Sequence, residues 1–76
     1  MKTISFTVDA RGQSCPGPLV TLHKALKGAQ RGDLLELLAT DPGARSDVPS
    51  WAKLSGNELV ESSESDGLLR FVIRKA

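Results

Sequence analysis

The 76-residue chain, 39% hydrophobic and 25% charged with a formal net charge of +1, has room for a single domain spanning residues 1–76. A chain of this length buries only about 60% of the surface it exposes when unfolded, so its core must be small and fully used. Charge so near balance argues against nucleic acid or an anionic membrane as the principal partner, and no apolar stretch is long enough to span a bilayer.

Thr3 to Val8 alternates, with Ile4, Phe6 and Val8 on one face and threonine and serine on the other, which predicts a half-buried strand. Asp9 to Ser14 reads as a polar loop. From Pro16 to about Lys27, Leu19, Leu22 and Leu26 recur at helical spacing beside Val20 and Ala25, with His23, Lys24 and Lys27 towards the other face. Gly28 or Gly32 stops this helix. Leu34 to Ala39 is nearly all apolar and reads as a central strand. Asp41-Pro42 supplies an N-cap and first residue for a second helix, which Pro49 is expected to kink or to shorten to about Ser50–Ser55. Its buried side is Val48, Trp51, Ala52 and Leu54, and Gly56-Asn57 ends it. Glu58 to Ser63 and Leu68 to Lys75 then form a hairpin around Asp66-Gly67, with Leu69, Phe71 and Ile73 inward.

The order β-α-β-α-β-β implies an α/β (α+β) two-layer sandwich, a four-stranded mixed sheet with two helices on one face. The other face is then open to solvent and carries Thr3, Ser5, Thr7, Glu36, Arg70 and Arg74. Leu34, Leu38 and Val72 fall on it too, as scattered exposed apolar residues or a modest patch.

The single cysteine, Cys15, stands in Ser14-Cys15-Pro16-Gly17-Pro18 at the predicted start of the first helix. There the positive end of the helix dipole and unpaired backbone N–H groups stabilise a thiolate, and Arg11 four residues upstream adds to the effect. Pro16 and Pro18 suit a first helical turn and stiffen it, and Gly17 adds no side chain to cover the sulfur. A free cysteine is most often a small buried hydrophobe, but this setting favours a reactive thiol. No second cysteine is present for dithiol chemistry. His23 lies roughly 12 Å along the helix, too far to serve as general base. One cysteine and one distant histidine make no metal site. What remains is chemistry needing one nucleophilic sulfur, such as sulfur-atom transfer. No internal disulfide can form, and Met1-Lys2 leads into a strand and not into a signal peptide's apolar segment, so the expected location is cytoplasmic.

Asp9-Ala10-Arg11-Gly12 followed by Cys15-Pro16-Gly17-Pro18 resembles the signature of the TusA/SirA-like sulfur carriers. The resemblance continues through Arg31-Gly32-Asp33, Asp41-Pro42, Asp47-Val48-Pro49, Trp51 and Gly56-Asn57-Glu58-Leu59. It implies a sandwich like the C-terminal domain of initiation factor 3. It also implies that Cys15 carries sulfur as a persulfide or thiosulfonate, with no separate cofactor. Pro16 and Pro18 would shape the helix start, and Asp9, Arg11 and Gly12 would support the loop. The implied partners are a donor sulfurtransferase (rhodanese, cysteine desulfurase or DsrE-like) and an acceptor protein, with the chain a monomeric shuttle more than a stand-alone enzyme.

Two positions depart from the family pattern: Gln13 is often apolar there, and Gly17 replaces the glutamate of members that serve tRNA thiolation. Without that carboxylate the site is expected to be less negative and more open, in keeping with an anionic cargo and with sulfur oxidation. The alternatives are a carrier in a tRNA-thiolation relay, or a non-catalytic regulatory or interaction module in which the sulfur is incidental. Arg11, Lys24, Lys27, Arg45 and Lys53 read as a solvated face, with those near the first helix also able to steer an acidic partner surface.

Overall fold

The apolar run Leu34–Ala39 forms β2, an inner strand of a four-stranded sheet of order β1-β2-β4-β3. In the computed structural model, which describes residues 4–13 and 17–76, the elements are β1 (Phe6–Ala10), α1 (Gly17–Lys27), β2 (Leu34–Ala39), α2 (Ala44–Ser55), β3 (Glu58–Ser65) and β4 (Leu68–Arg74). Thr3, Ser14, Cys15 and Pro16 lie outside the described residues. β1 pairs parallel with β2, and β4 pairs antiparallel with both β2 and β3.

β1 ends two residues later than the alternation predicts, so Asp9 and Ala10 belong to the strand and not to the loop. Continued pairing with β2, through Asp9↔Leu38 and Ala10↔Ala39, carries it on. The same shift brings Ala10 into the core beside Val8, while Phe6 on the outer edge remains 45% exposed.

Register explains the core. Leu35↔Ile73, Leu37↔Phe71 and Ala39↔Leu69 stand side by side on one face of the sheet. Leu22 and Leu26 of α1 and Ala44 and Val48 of α2 pack on that same face, so both helices form a single layer. Burial of each large side chain contributes about 1.5–3 kcal/mol. This is the two-layer arrangement expected from the element order.

α2 differs from its sequence reading. It runs from Ala44 to Ser55 straight through Pro49, with Gly43 and not Asp41 at the N-cap. The carbonyls of Asp41 and Pro42 instead accept turn bonds from Ala44 and Arg45. Proline removes one helical hydrogen bond, but burial of Ala44, Val48 and Ala52 on one stripe, with Trp51 packed beside them, offsets that loss. Leu54 falls off the stripe and is 88% exposed. Gly56, in the left-handed region at φ 79°, closes the helix as Asn57 N–H reaches the Ala52 carbonyl.

The helix-free face is not the open apolar patch that alternation suggests. Val72 is fully buried and Leu34 nearly so. Val72 lies in register between Glu36 and Glu61, and Arg70 pairs with both carboxylates across it. Thr7 Oγ1 donates to Glu36 Oε1 at 3.1 Å, and Arg74 holds Glu58 at 2.8 Å. Long side chains such as Arg70 and the two glutamates bury their stems against neighbouring apolar surface while their charged ends stay near water, which suits a valine flanked by them. The Arg70 guanidinium beside Glu36 holds that carboxyl below its usual range.

β3 is an edge strand whose register slips between Leu59 and Glu61, leaving Val60 as the extra residue of a bulge. Asp66 and Gly67, both at positive φ, make the tight turn into β4 that the Asp-Gly pair predicts.

Candidate functional site

Because β1 and β2 run parallel, they end at the same edge of the sheet. Gln13 and Gly17 are the described residues that flank Cys15 in the chain. Four sets of contacts fix them.

The first is an arginine–aspartate fork at the end of β1. Asp9 accepts from Arg11 Nε at 2.9 Å and Nη2 at 2.8 Å, and its Oδ1 also accepts the Arg11 backbone N–H at 3.1 Å. These bonds hold the Asp9 carboxyl down to about 2, the side-chain bond from Arg11 being the largest cause, and they raise Arg11. The side chains remain more than half exposed. Arg11 is therefore not a free cation waiting for a thiolate. Two of its nitrogens are committed to shaping the turn, and its charge is balanced by Asp9.

The second is the turn itself. Gln13 N–H donates to the Ala10 carbonyl at 3.2 Å, with Gly12 third in the turn at φ 80°, which glycine adopts at no steric cost. The third is a bond across the strand ends, from Gly12 N–H to Thr40 Oγ1 just beyond β2 at 2.9 Å. The fourth joins the strand side to the helix side. Thr21 Oγ1 lies 2.9 Å from Gln13 Oε1 and 3.0 Å from the Gly17 carbonyl, two acceptors that share its one hydrogen.

Gly17 is less open than its lack of a side chain suggests. A Cβ there would come within 3.1 Å of both Cβ and Oε1 of Gln13. The Gln13 side chain fills that space, so Gln13 and Gly17 form one packing unit. Pro18 follows as the second residue of α1, in the turn where a missing N–H costs nothing.

Of the residues singled out in the sequence, Asp9, Arg11, Gly12 and Gly17 are brought to this one edge, while Cys15 and Pro16 fall outside the described residues. Thr40, Thr21 and the side chain of Gln13 went unrecognised as supports. The available signal for Thr40 was its place directly after the strand expected to neighbour the first. For Thr21 it was a hydroxyl four residues beyond Gly17.

Elsewhere, Arg45 grips Glu64 with bonds of 2.9 and 2.5 Å, tying α2 to β3 at the rim of a cleft floored by Leu69 and Phe71. Arg11 and Arg45 are thus already paired, whereas Lys24, Lys27, Lys53 and Lys75 form no ion pair among the described residues. Lys27 and Lys75 line a cleft of about 220 Å³ with His23 and Trp51, at the sheet end opposite Thr40. No helix among the described residues is long and apolar enough to cross a membrane, and no cluster of three metal-ligating side chains occurs among them.

The family described as "Sulfurtransferase TusA" matches residues 6–75, nearly the whole chain. The chain belongs to the TusA family. It is 42% identical over 69 residues to the sulfur carrier protein TusA of Allochromatium vinosum, covering 91% of each chain. To the protein of that name from Pseudomonas aeruginosa it is 38% identical over 73 residues, 96% of this chain and 92% of that one. The crystal structure of a SirA-like protein from Desulfitobacterium hafniense matches with a TM-score of 0.79 at 30% identity, over 91% of this chain and 95% of the other. The TusA sandwich therefore accounts for both the element order and the sheet topology.

Proposed function

We propose that this TusA-family sulfur carrier moves sulfane sulfur on Cys15 between a donor sulfurtransferase and an acceptor protein. The observation that carries the reading is the family match over residues 6–75 together with the chain's single cysteine in Cys15-Pro16-Gly17-Pro18. The supports at Asp9, Arg11, Gly12 and Thr40, and the first turn of α1, stand on either side of that segment.

In the transfer step the Cys15 thiolate attacks the outer sulfur of a donor persulfide. A new S–S bond forms, the donor's S–S bond breaks, and the donor leaves as a thiolate. Cys15 then holds the outer sulfur and its proton as Cys15–S–SH, and an acceptor thiolate repeats the exchange. The chain's own contribution is to hold the thiolate near the N–H groups that open α1. Pro16 and Pro18 stiffen that start. No separate cofactor is needed, since the cargo is bound covalently. The donor is of the rhodanese, cysteine desulfurase or DsrE-like type, and the chain works in the cytoplasm as a monomeric shuttle. For a thiosulfonate cargo, as in sulfur oxidation, the same kind of attack falls on an inner sulfur of tetrathionate. A new S–S bond forms to Cys15, the central S–S bond breaks, thiosulfate leaves, and Cys15 holds S–SO3−.

The test is intact mass after incubating the reduced protein in turn with thiosulfate, tetrathionate and a persulfide-loaded sulfurtransferase. A reductant-reversible gain of one sulfur, or of a thiosulfonate group, that is absent from Cys15→Ser supports the reading and identifies the cargo. No adduct from any donor, on a thiol that alkylates readily, replaces it with a non-catalytic interaction module.

A further inference from the structure

Resting on the reading that Cys15 carries sulfur, we propose that Gln13 and Thr21 are positioning residues that hold together the two ends of the Cys15 segment. Gln13 is the last described residue before it and Gly17 the first after it. Gln13 is anchored twice. Its backbone N–H bonds the Ala10 carbonyl on the strand side, and its side-chain oxygen accepts from the Thr21 hydroxyl on the helix side. Thr21 in turn reaches the Gly17 carbonyl, the opening carbonyl of α1. Gln13, Gly17 and Thr21 thus form a clasp, closed by contact where Gln13 lies over the Gly17 Cα and by hydrogen bonding at Thr21.

The clasp sets how far apart, and at what angle, the strand end and the helix start are held. The stabilisation that a helix N-terminus offers an anion falls off within its first turn, so the placement of a sulfur relative to that turn decides its reactivity. A misplacement of about 1 Å can cost roughly a hundredfold in rate. The inference adds two residues to the site: Thr21 four positions into the helix, and Gln13 through its side chain.

The test uses the full chain loaded from a persulfide-bearing sulfurtransferase, with iodoacetamide alkylation of Cys15 measured in parallel at one pH. Gln13→Leu keeps most of the volume and removes the acceptor, and Thr21→Val removes the donor. Each is expected to slow loading by about tenfold, below the full cost of a 1 Å misplacement. The double variant is expected to be no slower than Thr21→Val alone, since that variant already lacks the bond that Gln13→Leu breaks. Thr21→Ser restores the rate, which a general loss of stability would not predict. Gly17→Ala retains the Gln13 amide and the Thr21 hydroxyl but displaces Gln13 by a few tenths of an ångström, so it is expected to be slower than wild type, and it serves if Thr21→Val does not fold. Wild-type loading matched by equal loading in Gln13→Leu, Thr21→Val and Gly17→Ala overturns the clasp and leaves the carrier reading intact. Absence of loading in the wild-type chain overturns the carrier reading, and the clasp with it.

Discussion

The backbone N–H of Gly12 donates to the hydroxyl of Thr40, 28 residues away, and so joins the loops that leave the two parallel strands. A hydrogen bond of this kind contributes about 0.5–1.5 kcal/mol. Thr40→Val keeps the shape and removes the acceptor. It is expected to lower stability by about 1 kcal/mol, a fall in melting temperature of roughly 4–8 °C for a domain this size. Thermal or urea unfolding checks it, with Thr40→Ser expected to stay near wild type.

The Asp9–Arg11 fork has a signature in acid. Asp9 is held at about 2 against an ordinary value of 3.8. Its folded-state value lies below the unfolded one, so the stability it brings is present above pH 4 and is lost as pH falls from about 4 to about 2. Carboxyl titration by NMR is expected to give a midpoint near 2 for Asp9, moving back towards 3.8 in Arg11→Gln. Asp9→Asn is expected to flatten the pH dependence of stability in that window.

Pro49 lies well inside α2 and supplies no N–H to the helix. Proline is about 3 kcal/mol worse than alanine in a helix interior, and losing its restraint on the unfolded chain returns about 0.4–1 kcal/mol of that. Pro49 is half-buried, so some packing is lost as well. Pro49→Ala is expected to stabilise the protein by about 1–2 kcal/mol, readable as a higher urea midpoint with unchanged slope.

Phe71 is buried in the core on the inner strand β4, whereas Leu54 is 88% exposed. Phe71→Ala is expected to cost about 3–5 kcal/mol, a large share of the stability of so small a domain. Leu54→Ala is expected to change stability by less than about 0.5 kcal/mol. Denaturant melts of the two variants separate a core position from an apparent one.

Elements with one strong period were legible in the sequence. The apolar run places β2 at its observed bounds, and the helical spacing carries α1 to its observed end at Lys27, because each pattern admits a single reading. α2 was not, since Pro49 speaks locally against a helix and only packing of Ala44, Val48 and Ala52 overrides it. The alternation around Val72 was read correctly, but its burial depends on Arg70 reaching across to β2 and β3, which no local pattern encodes. The site divides the same way. Asp9, Arg11 and Gly12 announce a turn, whereas the Gly12–Thr40 bond and the packing of Gln13 on Gly17 exist only once distant residues meet.

The bulged edge of β3 has a consequence for how copies of the protein meet. Its outer rim runs Glu58, Glu61, Ser62, Ser63, Glu64, interrupted by the extra residue at Val60. The bulge breaks the regular ladder, and the ion-paired side chains of Glu58, Glu61 and Glu64 crowd the edge, so a foreign strand finds a poor template for pairing. The rim therefore guards the exposed edge of the sheet against amyloid-like stacking of one copy on another.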